Sequence, residues 1–214
     1  MNATKIELFR GCLLASLAHA IMTNVYPDLS YEQSWDGDNY SMQDESGLRG
    51  TITFEKNYCV GAIRNENSEL IFYEKAVMGL MKDFPNKVTH KAYEESLQYL
   101  LLEENGIASP HVTSVFWADD NGIYCSQENK DNWKKDIVLL NKILIPKEVA
   151  ISEWKEYYDM DSNALELLEK LYQAKVKAFS SKIVLSDRQK ELLPGEFIHG
   201  ECVESLKELN IYIS

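Results

Sequence analysis

The residues whose types and spacing can do chemistry gather in one stretch, Ser34 to Asn65, SWDGDNYSMQDESGLRGTITFEKNYCVGAIRN. Trp35, Asp36, Asp38 and Tyr40 precede an alternating run in which Arg49, Thr51, Thr53 and Glu55 share one strand face. Two carboxylates, two aromatics with polar tips and an arginine beside a sheet edge can grip a cationic or amphipathic ligand. The same residues also make sense as structure. Trp35 then plugs the core beside a long helix, Arg49 neutralises Asp36 or Asp38, and the threonines are strand formers facing water. These eight residues are the candidate binding set.

Other chemistries are weaker. Between Val25 and Leu48 there is no Lys or Arg, whereas Asp28, Glu32, Asp36, Asp38, Asp44 and Glu45 all fall there. Asp36-Gly37-Asp38 suggests a calcium loop, but Tyr40 occupies the third ligand position and Gly47 stands where the bidentate Glu belongs. A turn with solvated carboxylates is the simpler reading. Paired carboxylates also serve glycoside cleavage, although nothing in the spacing sets their separation. His19, His90, His111 and His199 are scattered, and His19 on an apolar helix reads as a satisfied core residue. A catalytic triad can assemble from distant positions, because its order in the chain is not fixed, but nothing in the sequence raises it above background. Dinucleotide, phosphate-loop, zincin and nucleophile-elbow patterns are missing from the sequence. Cys12, Cys59, Cys125 and Cys202 lie far apart with no C-x-x-C pair, which reads as buried thiols in a reducing compartment. Neither a cofactor nor a metal is expected.

The elements that must position these residues follow from periodicity. From Thr4 to Asn24, Ile6, Phe9, Leu13, Leu17, Ala20 and Ile21 occupy one helical face, and Leu8, Cys12, Ala15 and Met22 much of the other. A helix apolar nearly all round belongs between layers or in a subunit interface. Lys5, Arg10 and the run after them imitate an export signal, but Glu7 and His19 interrupt it and the run is too short to span a bilayer. A cytoplasmic protein is expected.

Strands are predicted at Asn39–Asp44, Leu48–Glu55 and Tyr58–Arg64, the last central because it is apolar on both faces. Helices are predicted over Glu69–Phe84 and from a Thr89 cap to Glu104, with Asn105-Gly106 as the stop. A hairpin joins Val112–Ala118 to Ile123–Ser126 through Asn121-Gly122. Beyond Gln127 the pattern is helical, with Pro146 starting one helix, Asp161 capping another, a Ser186/Gln189 capping box and a last helix over Glu201–Leu209. The expected fold class is α+β: an antiparallel sheet of about five strands, a buried N-terminal helix and a largely helical C-terminal half. One domain over residues 1–214 is the simplest division; the alternative is an α+β core, 1–127, with a helical subdomain, 128–214.

The formal charge is −12, which argues against a counterion-displacing duplex-binding surface and admits a basic partner. The expected function is a non-enzymatic cytosolic protein-binding protein. By class-level analogy it neutralises a basic protein, as immunity proteins of bacterial toxin systems do. The rivals are a hydrolase-like small-molecule enzyme with a site built from distant residues, and a structural or assembly protein that self-associates through the N-terminal helix. Neither nucleic acid nor membrane is expected as a partner.

Overall fold

Every residue from Cys12 to Asn24 is buried, so the expected burial on both sides holds for the C-terminal part of the first helix, whereas Ile6, Glu7 and Arg10 near its start are exposed. This helix, α1, runs Lys5–Met22 in a computed structural model that describes residues 3–69, 71–72, 74–127 and 130–213. From Cys12 onward the helix has no charged residue to face water, and burial of its leucines follows. Gly11 lies inside it because a Cβ there would collide with the Ile143 carbonyl oxygen.

The chain continues through strands β1 (Gln33–Asp36), β2 (Asn39–Gln43), β3 (Leu48–Phe54) and β4 (Cys59–Asn65). Helices α2 (Glu74–Leu80) and α3 (Asn86–Glu94) follow, then a 3-10 turn at Ser96–Leu100. Next come β5 (Leu101–Glu104), β6 (Ile107–Pro110), β7 (Ser114–Ala118) and β8 (Ile123–Tyr124). The rest is α4 (Lys130–Asp136), a 3-10 turn at Ile137–Leu140, α5 (Lys147–Tyr158) and α6 (Ser162–Lys177), then β9 (Ile183–Leu185), α7 (Asp187–Lys190), α8 (Gly200–Glu208) and β10 (Ile211–Ile213). The fold is α+β, with one six-stranded antiparallel sheet in the order β1-β2-β3-β4-β7-β8. The chain divides into two compact units, residues 1–8 with 38–141 and residues 9–37 with 142–214.

In the first unit β4 is central, pairing with β3 on one side and β7 on the other. Val60 and Ala62 of β4 and Val115 of β7 meet Val77, Leu80, Met81, Phe84, Val88, Ala92 and Leu97 from the helical segments above them. On the opposite face, Gly61 gives its space to the Phe116 ring, which packs 4.8 Å from Trp133 of α4. A strand covered on both faces carries apolar residues at successive positions, as β4 does.

Two predicted helices are corrected. The expected helix over Glu69–Phe84 is confined to Glu74–Leu80 with turns after it, because Phe72 forms a bridge with Val112 instead; Leu70 and Tyr73 lie outside the described residues. The expected helix from Thr89 to Glu104 begins at Asn86 and ends at Glu94, and Leu101–Glu104 is a strand paired antiparallel with Ile107–Pro110. Asn105 and Gly106 have φ of 54° and 80°, the two left-handed positions of a tight hairpin turn. The local signal was a hairpin turn and not a helix stop.

In the second unit the predicted caps are present. Asp161 accepts the Ala164 N–H at 2.8 Å, and Ser186 with Gln189 forms the reciprocal capping box. Strands β9 and β10 form a parallel pair, Ile183 opposite Ile211, which periodicity did not indicate. Lys175 is fully buried and donates to the carbonyls of Phe179 at 3.0 Å and Ser181 at 2.6 Å, tying the end of α6 to the chain that enters β9. Asn24 holds the loop before α8, donating to the Pro194 and Phe197 carbonyls and accepting from the His199 N–H.

Candidate functional site

The eight residues named from sequence are dispersed by the fold. Trp35 is buried and donates its indole N–H to Ser16 Oγ at 2.7 Å, with the Phe179 ring 5.0 Å away. Tyr40 is 1% exposed, opposite Ile52 in the β2–β3 register. Thr51 and Thr53 were expected to face water and are each only 3% exposed. Their face of β3 lies beneath the segment after α3, where Thr51 Oγ1 donates to the Ser96 carbonyl at 2.7 Å and Thr53 Oγ1 shares a 2.6 Å hydrogen bond with Ser96 Oγ. Buried hydroxyls need such partners, and these threonines have them.

Arg49 was expected to neutralise Asp36 or Asp38, and its ion pair is with Glu66, Nε to Oε1 at 3.5 Å. The register explains this. Arg49 lies directly opposite Arg64, and Glu66 accepts from Arg64 at 2.9 Å with the same oxygen, relieving the like-charge pair. Glu55 pairs with Lys91 at 2.9 Å, and this hydrogen bond raises the Lys91 ammonium above its ordinary value. Asp36 and Asp38 are exposed on either side of Gly37, whose φ is 60°. Of the set, then, the two aspartates, Arg49 and Glu55 have solvent access, and the aromatics and threonines are interior.

A different surface carries exposed apolar and acidic groups together. In the β5–β6 hairpin, Leu102 lies opposite Ser109 and Glu104 opposite Ile107, so these four residues share one face. Leu102 is 40% exposed and Ile107 67%, with Tyr99 just before the hairpin also 40% exposed. Glu104 is exposed on this face and Glu103 on the other. The opposite face is anchored by Pro110, which is buried. The signal was present in the sequence: no Lys or Arg occurs from Ala92 to Asn129, while Glu94, Glu95, Glu103, Glu104, Asp119 and Asp120 all do. The helix-favouring composition of Leu97–Glu104 masks the hairpin that begins within it.

One buried polar network lies in the second unit. Glu32 accepts from Tyr157 Oη at 2.6 Å and from Tyr158 Oη at 3.0 Å, and His19 Nδ1 is 3.1 Å from the same Tyr158 oxygen. Tyr158 has one proton; with Glu32 as an acceptor-only carboxylate, the tyrosine donates to it and His19 Nδ1–H donates to the tyrosine. Burial lowers His19 to about 4, the Ser30 backbone nearby opposing this, so the ring is neutral near pH 7. His19, Glu32 and Tyr158 are each under 5% exposed, which suits a core network better than a site open to substrate. The thiols behave as core groups too: burial pushes Cys59 and Cys202 up to about 12, away from the reactive thiolate.

Among the described residues, no group of His, Cys, Asp and Glu has the arrangement to hold a metal ion, and no helix is long and apolar enough to cross a membrane. Neither a protein-family model, nor a curated protein, nor a solved structure matches the chain.

Proposed function

We propose that the protein is a non-enzymatic cytoplasmic protein-binding protein whose partner is a basic protein, acting as a neutraliser in the manner of immunity proteins. The observation that carries this reading is the exposed face of β5–β6, where Leu102 and Ile107 stand beside Glu104, with Glu103 exposed on the other face of the same hairpin. Apolar side chains supply contact area when desolvated, and acidic side chains beside them steer a basic partner and reject acidic ones. The formal charge of −12 extends that field beyond the hairpin. A reducing compartment agrees with four free cysteines. Self-association through α1 has less to support it, since Ile6, at 46%, is the one large apolar side chain of that helix that is exposed.

The test is affinity capture from the native host, followed by reconstitution of the complex from purified components. The expected result is one stoichiometric basic protein whose binding is lost in Glu103→Lys/Glu104→Lys and in Ile107→Asp. Binding untouched by these changes but lost in Asp36→Ala/Asp38→Ala would move the contact to the turn after β1. Reconstitution with no basic protein at all would overturn the reading.

A further inference from the structure

We propose that a polar cavity in the first unit is a binding site for a small zwitterion of the α-amino acid class. The cavity has a volume of about 290 Å³ and is lined by Asn65, Asn67, Ser68 and Glu69, at the end of β4 and just beyond, and by Asn132 and Lys135 of α4. It sits at the small end of ligand pockets, which run to roughly 300–1,000 Å³ for drug-sized molecules. Its size therefore suits a metabolite of amino-acid dimensions better than a nucleotide.

The walls are built from behind. Asp136 is 1% exposed, and its Oδ2 accepts from Thr113 Oγ1 at 2.5 Å and Ser114 Oγ at 2.7 Å, while Oδ1 accepts from Asn65 Nδ2 at 3.2 Å. Asn132 Nδ2 donates to the Thr113 carbonyl at 3.1 Å, so one carboxamide is held by Asp136 of α4 and the other by the buried residue just before β7. Asn65 Oδ1 accepts the Asn67 N–H at 3.0 Å, and Asn67 Nδ2 in turn donates to the Ser46 carbonyl. Side chains fixed in this way present hydrogen-bonding atoms without a further ordering cost, the condition for selective binding of a small polar molecule.

The charges select the class. Glu69 and Lys135 are exposed at the cavity, and among the described residues neither forms an ion pair. A simple cation would satisfy Glu69 and leave the ammonium unmatched; a simple anion would do the reverse. A molecule with an ammonium and a carboxylate answers both, and the carboxamides of Asn65, Asn67 and Asn132 add neutral hydrogen bonds. This site is separate from the β5–β6 hairpin, and its occupancy does not depend on the proposed protein partner.

The test is calorimetric titration of the full chain with each of the twenty common amino acids, with ethylammonium as the cation-only probe and acetate as the anion-only probe. At least one amino acid is expected to bind saturably and raise Tm, with Glu69→Gln and Lys135→Met each weakening it about tenfold or more. Both side chains are exposed, so the unliganded variants are expected to keep the parental Tm, which separates lost binding from lost fold. Saturable binding of no amino acid up to about 10 mM, a concentration beyond a millimolar Kd, would overturn the proposal. Equal binding of ethylammonium or acetate, or unchanged binding in both variants, would overturn it too.

Discussion

His19 illustrates how one residue's environment sets a measurable property. Its ordinary value is 6.5 and burial lowers it to about 4, so between those pH values the unfolded chain binds more protons than the folded one. Stability is intact above pH 6.5 and falls as the pH drops toward 4, by up to about 3 kcal/mol from this group. Urea unfolding at pH 7.5 and 4.5 is expected to show a smaller acid loss in His19→Gln than in the parent. The hydroxyl that His19 meets is equally exposed to test. Tyr158→Phe removes a donor to buried Glu32 and the acceptor of His19 and is expected to cost about 1–3 kcal/mol at pH 7.5. Gly61 is a third case: an added Cβ would strike the Phe116 ring and approach the Thr51 carbonyl oxygen to 2.9 Å. Gly61→Ala is therefore expected to destabilise by about 1–3 kcal/mol, read as a lower midpoint with an unchanged denaturant slope.

At the scale of elements, local chemistry and tertiary pairing divide the outcome between them. The cap of α6 is local: Asp161 and the Ala164 N–H are three residues apart, and Asp161→Ala is expected to cost about 1 kcal/mol in urea unfolding. The strands β2 to β4 were legible for the same reason, since alternation and a Gly47 turn with φ of 86° are written in adjacent residues. Leu97 to Glu104 was not, because leucine, glutamine and glutamate favour helix by intrinsic propensity and only pairing with Ile107–Pro110 overrides it. The parallel pair β9–β10 is harder still. Each strand has three residues, and what defines it is a partner some thirty positions away.

At the scale of the whole molecule the dominant property is charge. If the proposed basic partner exists, a formal −12 at pH 7 predicts that its association slows as salt is raised, about tenfold or more between 50 and 500 mM when measured by stopped flow. Under the same proposal, dissociation is expected to respond chiefly to Leu102 and Ile107, the exposed apolar side chains of the proposed contact. A salt-independent association rate would disconnect the acidic surface from recognition.

By itself the sequence determined the α+β class, the buried first helix, the central β4 strand, the caps at Asp161 and Ser186, and the acidic balance. Each of these depends on residues within a turn or two of one another, or on composition. Tertiary structure alone decided which side of β3 is covered and hence that Thr51 and Thr53 are interior. It decided that Arg49 meets Glu66, because strand register sets it opposite Arg64. It also brought Asn65, Asn132 and Lys135 to one cavity and left Leu102 and Ile107 outside. A face is buried or exposed according to what lands on it, and what lands on it comes from far along the chain, where periodicity carries no information.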